Sequence, residues 1–272
     1  MQFWCSARNT AWTWEWAPYP GVWLFLALLA WLLVRWNRAG ARAAGTAPRP
    51  FHPLSLVGLL LLWIALDWPV GALGSGYLAS AHMVQFLLIG LLAPAALLAG
   101  VAPEAVALLD RLRPGGVLER LSRPVVALVV FNAVVLFTHL PPVVDGLMSS
   151  TNGPIAAQLG SMCIDLLWLA GGLLFWWPIV LGSPHRQRFV PPMRMLYLVV
   201  GLMFSPVMFG LVGFMVNAER PLYGLYELAP PFPSFTSRDD HQLAGALMSL
   251  TGATVAFIGL SVIFFRWSKT DG

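Results

Sequence analysis

A chain of 272 residues that is 58% hydrophobic and only 10% charged cannot cover a water-facing globule, whose residues are normally about one-quarter charged. Its net charge of +4 comes almost wholly from Arg. These basic residues fall between apolar stretches, where membrane topology explains them better than nucleic-acid binding does. The composition therefore predicts an all-α integral membrane protein.

Residues 1–18 carry Trp4, Trp12, Trp14 and Trp16, the composition of a segment lying at a membrane–water boundary. They lack the basic leader and short apolar core of a signal peptide. Residues 19–267 then read as one seven-helix transmembrane domain, because seven stretches come near the 20 or so apolar residues that a spanning helix needs. In chain order these are Tyr19–Trp36, Pro53–Leu73, Tyr77–Val101, Pro124–Leu140, Gly153–Leu181, Met195–Val216 and His241–Trp267. Residues 268–272 form a short tail. No internal repeat is visible.

The loops predict the orientation. Arg35, Arg38, Arg42 and Arg49 follow the first span, and Arg111, Arg113, Arg120 and Arg123 follow the third. Arg186, Arg188 and Arg194 follow the fifth, and Arg266 and Lys269 close the chain. That puts 13 of the 16 basic residues on one side, leaving Arg8, Arg220 and Arg238 on the other. The positive-inside rule then predicts a periplasmic N-terminus and a cytoplasmic C-terminus.

Counting about 20 residues back from each basic end, at 1.5 Å per residue, gives the depth of the polar residues. His82, His139, Asp165 and His241 come from four different spans and share one outer layer, while His52 and His185 lie in or beside cytoplasmic loops. Ionisable groups inside a membrane are costly and tend to face a bundle interior or cavity. Met83, Met148, Met162 and Met215 lie at similar depth, and imidazole with thioether suits copper, Cu(I) above all. Taken singly, each residue also has a plainer explanation: a hydrated helix end for the histidines, packing for the methionines. Asp165 stands among apolar neighbours and needs a partner or a proton. The candidate metal ligands are His82, His139, Asp165, His241 and Met162.

Other chemistries lack their residues. The only Lys is Lys269 in the tail, so no span supplies a retinal Schiff base. Cys5 and Cys163 form no paired motif, and no phosphate-binding loop or hydrolase motif occurs. The midplane is poor in the polar residues that a transporter site uses.

Four ordered segments, "AHMVQFLLIGLLAPAALLAG", "THLPPVVDGLM", "LLWLAGGLLFWWPIVLG" and "DHQLAGALM", resemble the multi-spanning CtaG family over roughly residues 50–267. These are cytochrome c oxidase assembly proteins of the bacterial caa3-associated kind. The resemblance implies a multi-pass protein of the bacterial plasma membrane without turnover of its own. Its implied role is to hold copper near the periplasmic face and pass it to the oxidase catalytic subunit, with periplasmic copper carriers as further partners. His82 matches the first histidine of the family's HMVQH-like segment and His139 that of its HxP-like segment. Asp240, Gln242, Ala244 and Gly245 match its DQQxAG-like segment, with His241 at a position more often Gln. Two positions depart. Phe86 stands where a second histidine is common, and Asp165 where the family commonly has a histidine before "GLLFWWP". A metal-free assembly chaperone or accessory subunit remains an alternative, as does a copper or small-solute transporter.

The orientation makes a direct prediction. Alkaline phosphatase fused after Leu121 stays inactive, whereas the enzyme fused between Pro221 and Glu227 is active; the reverse pattern inverts the topology.

Overall fold

The computed structural model describes all residues except 1, 9, 48–50, 113–115, 182–188, 206–212, 214, 218, 231, 233–235 and 272. The described residues form helices and no strand. In chain order the helices are α1 Pro20–Ala44, α2 Pro53–Leu66, α3 Val70–Gly76, α4 Ala79–Ala99, α5 Pro103–Leu112 and α6 Val117–Leu121. They continue with α7 Pro124–Thr138, α8 Pro141–Met148, α9 Pro154–Val180, α10 Pro191–Met203, α11 Gly224–Glu227 and α12 Ser237–Asp271.

Proline sets most of the starts. Pro20, Pro53, Pro103, Pro124, Pro141, Pro154 and Pro191 each stand at the first helical position, where the missing N–H would have no partner and the fixed φ already suits a helix. At the other end of α1, Gly45 takes the left-handed conformation at φ 69°, and the N–H of Thr46 bonds the Ala41 carbonyl. This is the ordinary way for a helix to satisfy its last carbonyls.

Among the described residues, four helices are long and apolar enough to cross a membrane: α1, α4, α9 and α12. The expected second span is broken within its length, whereas the expected fourth, Pro124–Leu140, matches α7 and is followed by a bend. α2 and α3 meet at 46°, and α7 and α8 at 65°, which makes up to six spans if each bent pair counts as one. The bend after α7 follows from "HLPP": Leu140 precedes a proline and is held extended, at φ −67° and ψ 129°. The expected sixth span begins in α10, while 206–212 lie outside the described residues, as do Arg49, Arg113, His185, Arg186 and Arg188.

α4 is the central helix. Some 67% of its apolar window is buried within the protein, against 11% for α1 and 22% for α12, and it packs on α2, α3, α9 and α12. Its middle widens into a π turn at Leu87–Leu92. Pro94 causes this in part, because it has no N–H for the Gly90 carbonyl four residues earlier. That carbonyl packs directly against Gly172 of α9, where any β-carbon would strike it and the Pro94 ring. The close approach of α4 and α9 thus needs glycine at 172.

Gly172→Ala should therefore lower stability by about 1–3 kcal/mol, the usual cost of overpacking, read as a lower Tm in detergent. Gly171→Ala, whose β-carbon meets Val134 and Phe131 side chains at ordinary distance, should change Tm far less.

Candidate functional site

Asp240 places the first histidine. The N–H groups that begin α4 have no partner within their own helix, and no side chain next to them in sequence caps them. Asp240 of α12 caps them instead. Its carboxylate accepts from Ala79 N at 2.6 Å, Ser80 N at 3.1 Å and Ser80 Oγ at 2.5 Å. Two residues beyond Ser80, His82 points into the bundle and is only 1% exposed.

The bend after the fourth span places the second. His139 caps the C-terminus of α7 at the bend and is fully buried. Its Nδ1 lies 2.8 Å from the Val135 carbonyl. A carbonyl only accepts, so Nδ1 carries the proton and Nε2 is left with a bare lone pair. That Nε2 has no hydrogen-bond partner, and neither does either ring nitrogen of His82. The Gly74 carbonyl lies close to His82 and also accepts from the Tyr226 hydroxyl at 2.6 Å. Buried polar atoms without partners are rare and cost about 1–3 kcal/mol each.

The two imidazoles face one chamber. Their ring centroids are 6.1 Å apart, and the Trp168 ring lies 4.9 Å from His82 and 5.7 Å from His139. Trp168 is held in place by its indole N–H, which donates to Thr138 Oγ1 at 2.8 Å. Phe86, one helical turn beyond His82, sets its ring 4.9 Å from His139 and 5.4 Å from Trp168. Deeper still, Ile89 and Leu91 are buried and Gly90 closes on Gly172. The floor is apolar.

The roof comes from the turn α11. Tyr226 lies 5.8 Å from His82, ring to ring. Tyr223 donates its hydroxyl to the His139 carbonyl at 3.0 Å and its N–H to His241 Nε2 at 3.4 Å. Both tyrosines are buried. Burial raises both phenols well above their ordinary range, so each hydroxyl keeps the proton with which it donates.

Of the five residues expected as ligands, then, His82 and His139 come together. His241 stands one ring away, with Tyr226 6.3 Å from it on the path to His82; its Nδ1 bonds the Ser237 carbonyl at 2.9 Å. Asp165 turns elsewhere, to the Trp4 indole N–H at 2.7 Å. Met162 packs partly buried against the core one turn earlier on α9. Among the described residues, no group of three or more His, Cys, Asp or Glu gathers tightly enough to hold a metal ion.

The Trp4 bond adds an anchor to residues 1–18, expected as an interfacial segment. Trp14 and Trp16 are exposed, but Trp4 and Cys5 are each 2% exposed and belong to the core. Phe3 N and Trp4 N donate to Gln158 Oε1, at 2.7 and 3.4 Å, and Gln158 sits two turns before Asp165 on one face of α9. Burial and the nearby Asp165 carboxylate push the Cys5 thiol well up, and the thiol donates to the Leu66 carbonyl at 3.2 Å. The sequence reading also passed over Trp168, Tyr223 and Tyr226. The spacing of the two tyrosines, three apart in "YGLYE", was the available signal for a helical turn with one aromatic face.

Trp4→Phe should leave the Asp165 carboxylate buried without a donor, lowering stability by about 1–3 kcal/mol. Adding Asp165→Leu should recover most of that loss, since the unpaired charge goes with it; detergent melts of the parent protein and both variants check this.

A family model described as cytochrome c oxidase caa3 assembly factor (Caa3_CtaG) matches residues 27–270. No curated protein and no solved structure matches the chain. The matched region takes in all four walls of the histidine chamber, and the chain belongs to this family of cytochrome c oxidase assembly factors.

Proposed function

We propose that the protein carries a single copper ion, as Cu(I), between His82 and His139 and hands it to the catalytic subunit of the oxidase that its family helps assemble. The observation that carries this reading is the pair of buried imidazoles whose inward nitrogens lack partners. Ring centroids 6.1 Å apart leave room for one ion at about 2 Å from a nitrogen of each ring. Imidazole suits copper, and Cu(I) is satisfied by as few as two ligands. A two-ligand site suits a cargo that must be given up, because a receiving protein can add its own ligand before the donor's let go.

The floor of the chamber sets the direction of release. Phe86, Trp168, Ile89 and Leu91 offer no polar group beneath the histidines, which favours exchange at one face over passage across the membrane. The charge distribution supports seven spans with the histidine end periplasmic and 13 of 16 basic residues cytoplasmic, in a bacterial plasma membrane. A copper-carrying protein on that side would be a natural source of the ion.

A second reading, assembly by contact alone with no metal bound, draws on the Trp4–Asp165 bond. It withdraws the one carboxylate of the layer from the histidines and ties the N-terminal segment to α9.

Competition with a chromophoric Cu(I) chelator separates the two. Full-length protein in detergent should bind one Cu(I), and His82→Ala or His139→Ala should each weaken it by about tenfold or more, the loss expected when one of two ligands is removed. His52→Ala, at the far end of the bundle, should leave it unchanged. Binding that all three variants retain, or its absence from the parent protein, leaves assembly by contact alone.

A further inference from the structure

The histidine pair is covered by a turn whose fastenings can be named. The turn Tyr223–Glu227 covers His82 and His139 and is held by the side chains of Asp145 and His241 and by the backbone carbonyls of Gly74 and His139. Asp145 of α8 takes the first two N–H groups of α11, accepting from Gly224 N at 3.1 Å through Oδ2 and from Leu225 N at 2.9 Å through Oδ1. Tyr226 is fastened to the Gly74 carbonyl of α3, at a glycine whose β-carbon would strike Gln85 and the backbone of His82. Tyr223 is fastened to His139 and His241. The His241 bond is the informative one. Its Nδ1 is occupied by Ser237, so Nε2 is its only free lone pair, and the closed turn occupies it with a backbone N–H.

We infer that residues 223–227 form a lid over the histidine chamber, that Asp145 is the positioning residue that holds it shut, and that lifting it frees His241 Nε2 in the same movement that uncovers His82 and His139. The inference rests on the copper reading for the identity of the cargo, a soft monovalent cation, but not for the lid itself. Closed, the chamber presents two imidazoles and excludes water. Open, it presents three. A third donor is what an incoming ion needs when it sheds the ligands of its carrier, and the same donor eases departure toward a partner. Asp145 controls both because its carboxylate is the only side chain described as bonding the amides of Gly224 and Leu225.

The test uses full-length protein in detergent and reads histidine accessibility first. Diethyl pyrocarbonate acylates an exposed imidazole nitrogen, and mass spectrometry locates each adduct. In the parent protein His82, His139 and His241 should react slowly and the exposed His52 quickly. Asp145→Ala should raise the rates at all three together by about tenfold or more, as loss of charge-assisted hydrogen bonds predicts. Asp145→Asn, which keeps one acceptor oxygen, should fall between.

A lock guards against a variant that merely unfolds. A β-carbon placed on Gly224 would stand 3.7 Å from Asp145 Cγ, close enough for Asp145→Cys and Gly224→Cys, made with Cys163→Ser, to form a disulfide. Oxidised, this protein should resist modification at all three histidines and take up Ag(I) or Cu(I) slowly; a reductant should reverse both. His82 reacting as fast as His52 in the parent protein, or a lock without effect on modification, overturns the lid. Modification that follows the lock without uptake of either ion in any form leaves the lid standing and removes copper as its cargo.

Discussion

The grip of Asp240 on the first turn of α4 is the interaction on which the histidine chamber depends. It joins the last helix of the chain to the central one through three hydrogen bonds to a single carboxylate. Because the acid sits one residue before His241 and its targets lie just before His82, one contact sets the height of both histidines. The positive end of the α4 dipole supplies further stabilisation for the negative charge. Everything above the apolar floor inherits this register, including the turn that roofs the chamber.

The same solution recurs at this end of the bundle. Asp67 accepts from the indoles of Trp23 and Trp63, each at 2.7 Å, and from Trp68 N at 2.8 Å. Asp165 accepts from Trp4, and Asp145 from two amides of the lid. Each of these carboxylates is satisfied by uncharged N–H donors. Burying one charge among fixed dipoles avoids desolvating a second, cationic partner, whose cost often exceeds the Coulomb gain in a poorly polarisable interior. It also accounts for Trp4 near the start of the chain and for Trp23 in α1. An indole offers a long apolar body to the bundle or to lipid and one N–H for a buried acid.

How much of this was legible beforehand follows from which forces act locally. Prolines at helix starts, and a central span opening with His82, could be read directly, since they depend on φ restriction and on apolar length. The common depth of His82 and His139 could also be read, because helical rise is constant. The break at Asp67–Pro69 had its proline in view, yet counting apolar residues runs straight through it; the bend at Leu140 falls where the fourth span is expected to end. Asp165 was rightly marked as needing a partner. That the partner would be Trp4, 161 residues away in sequence, lies beyond anything a local pattern encodes.

The family assignment is a matter of sequence too, since ordered segments from 81 to 248 carry it without reference to any contact. What sequence alone determined, then, is a membrane-embedded helical protein of the caa3 assembly factor family, with a layer of histidines at one end. Tertiary structure decided which of them meet. It brought two imidazoles together with nitrogens unpaired, set His241 behind a tyrosine, and turned the carboxylate of the layer toward the N-terminal segment. The reason is physical. Depth along a helix is fixed by its rise, whereas the direction a side chain faces depends on helix rotation, and rotation is set by long-range contacts such as Asp240 with α4 and Gly172 with Gly90.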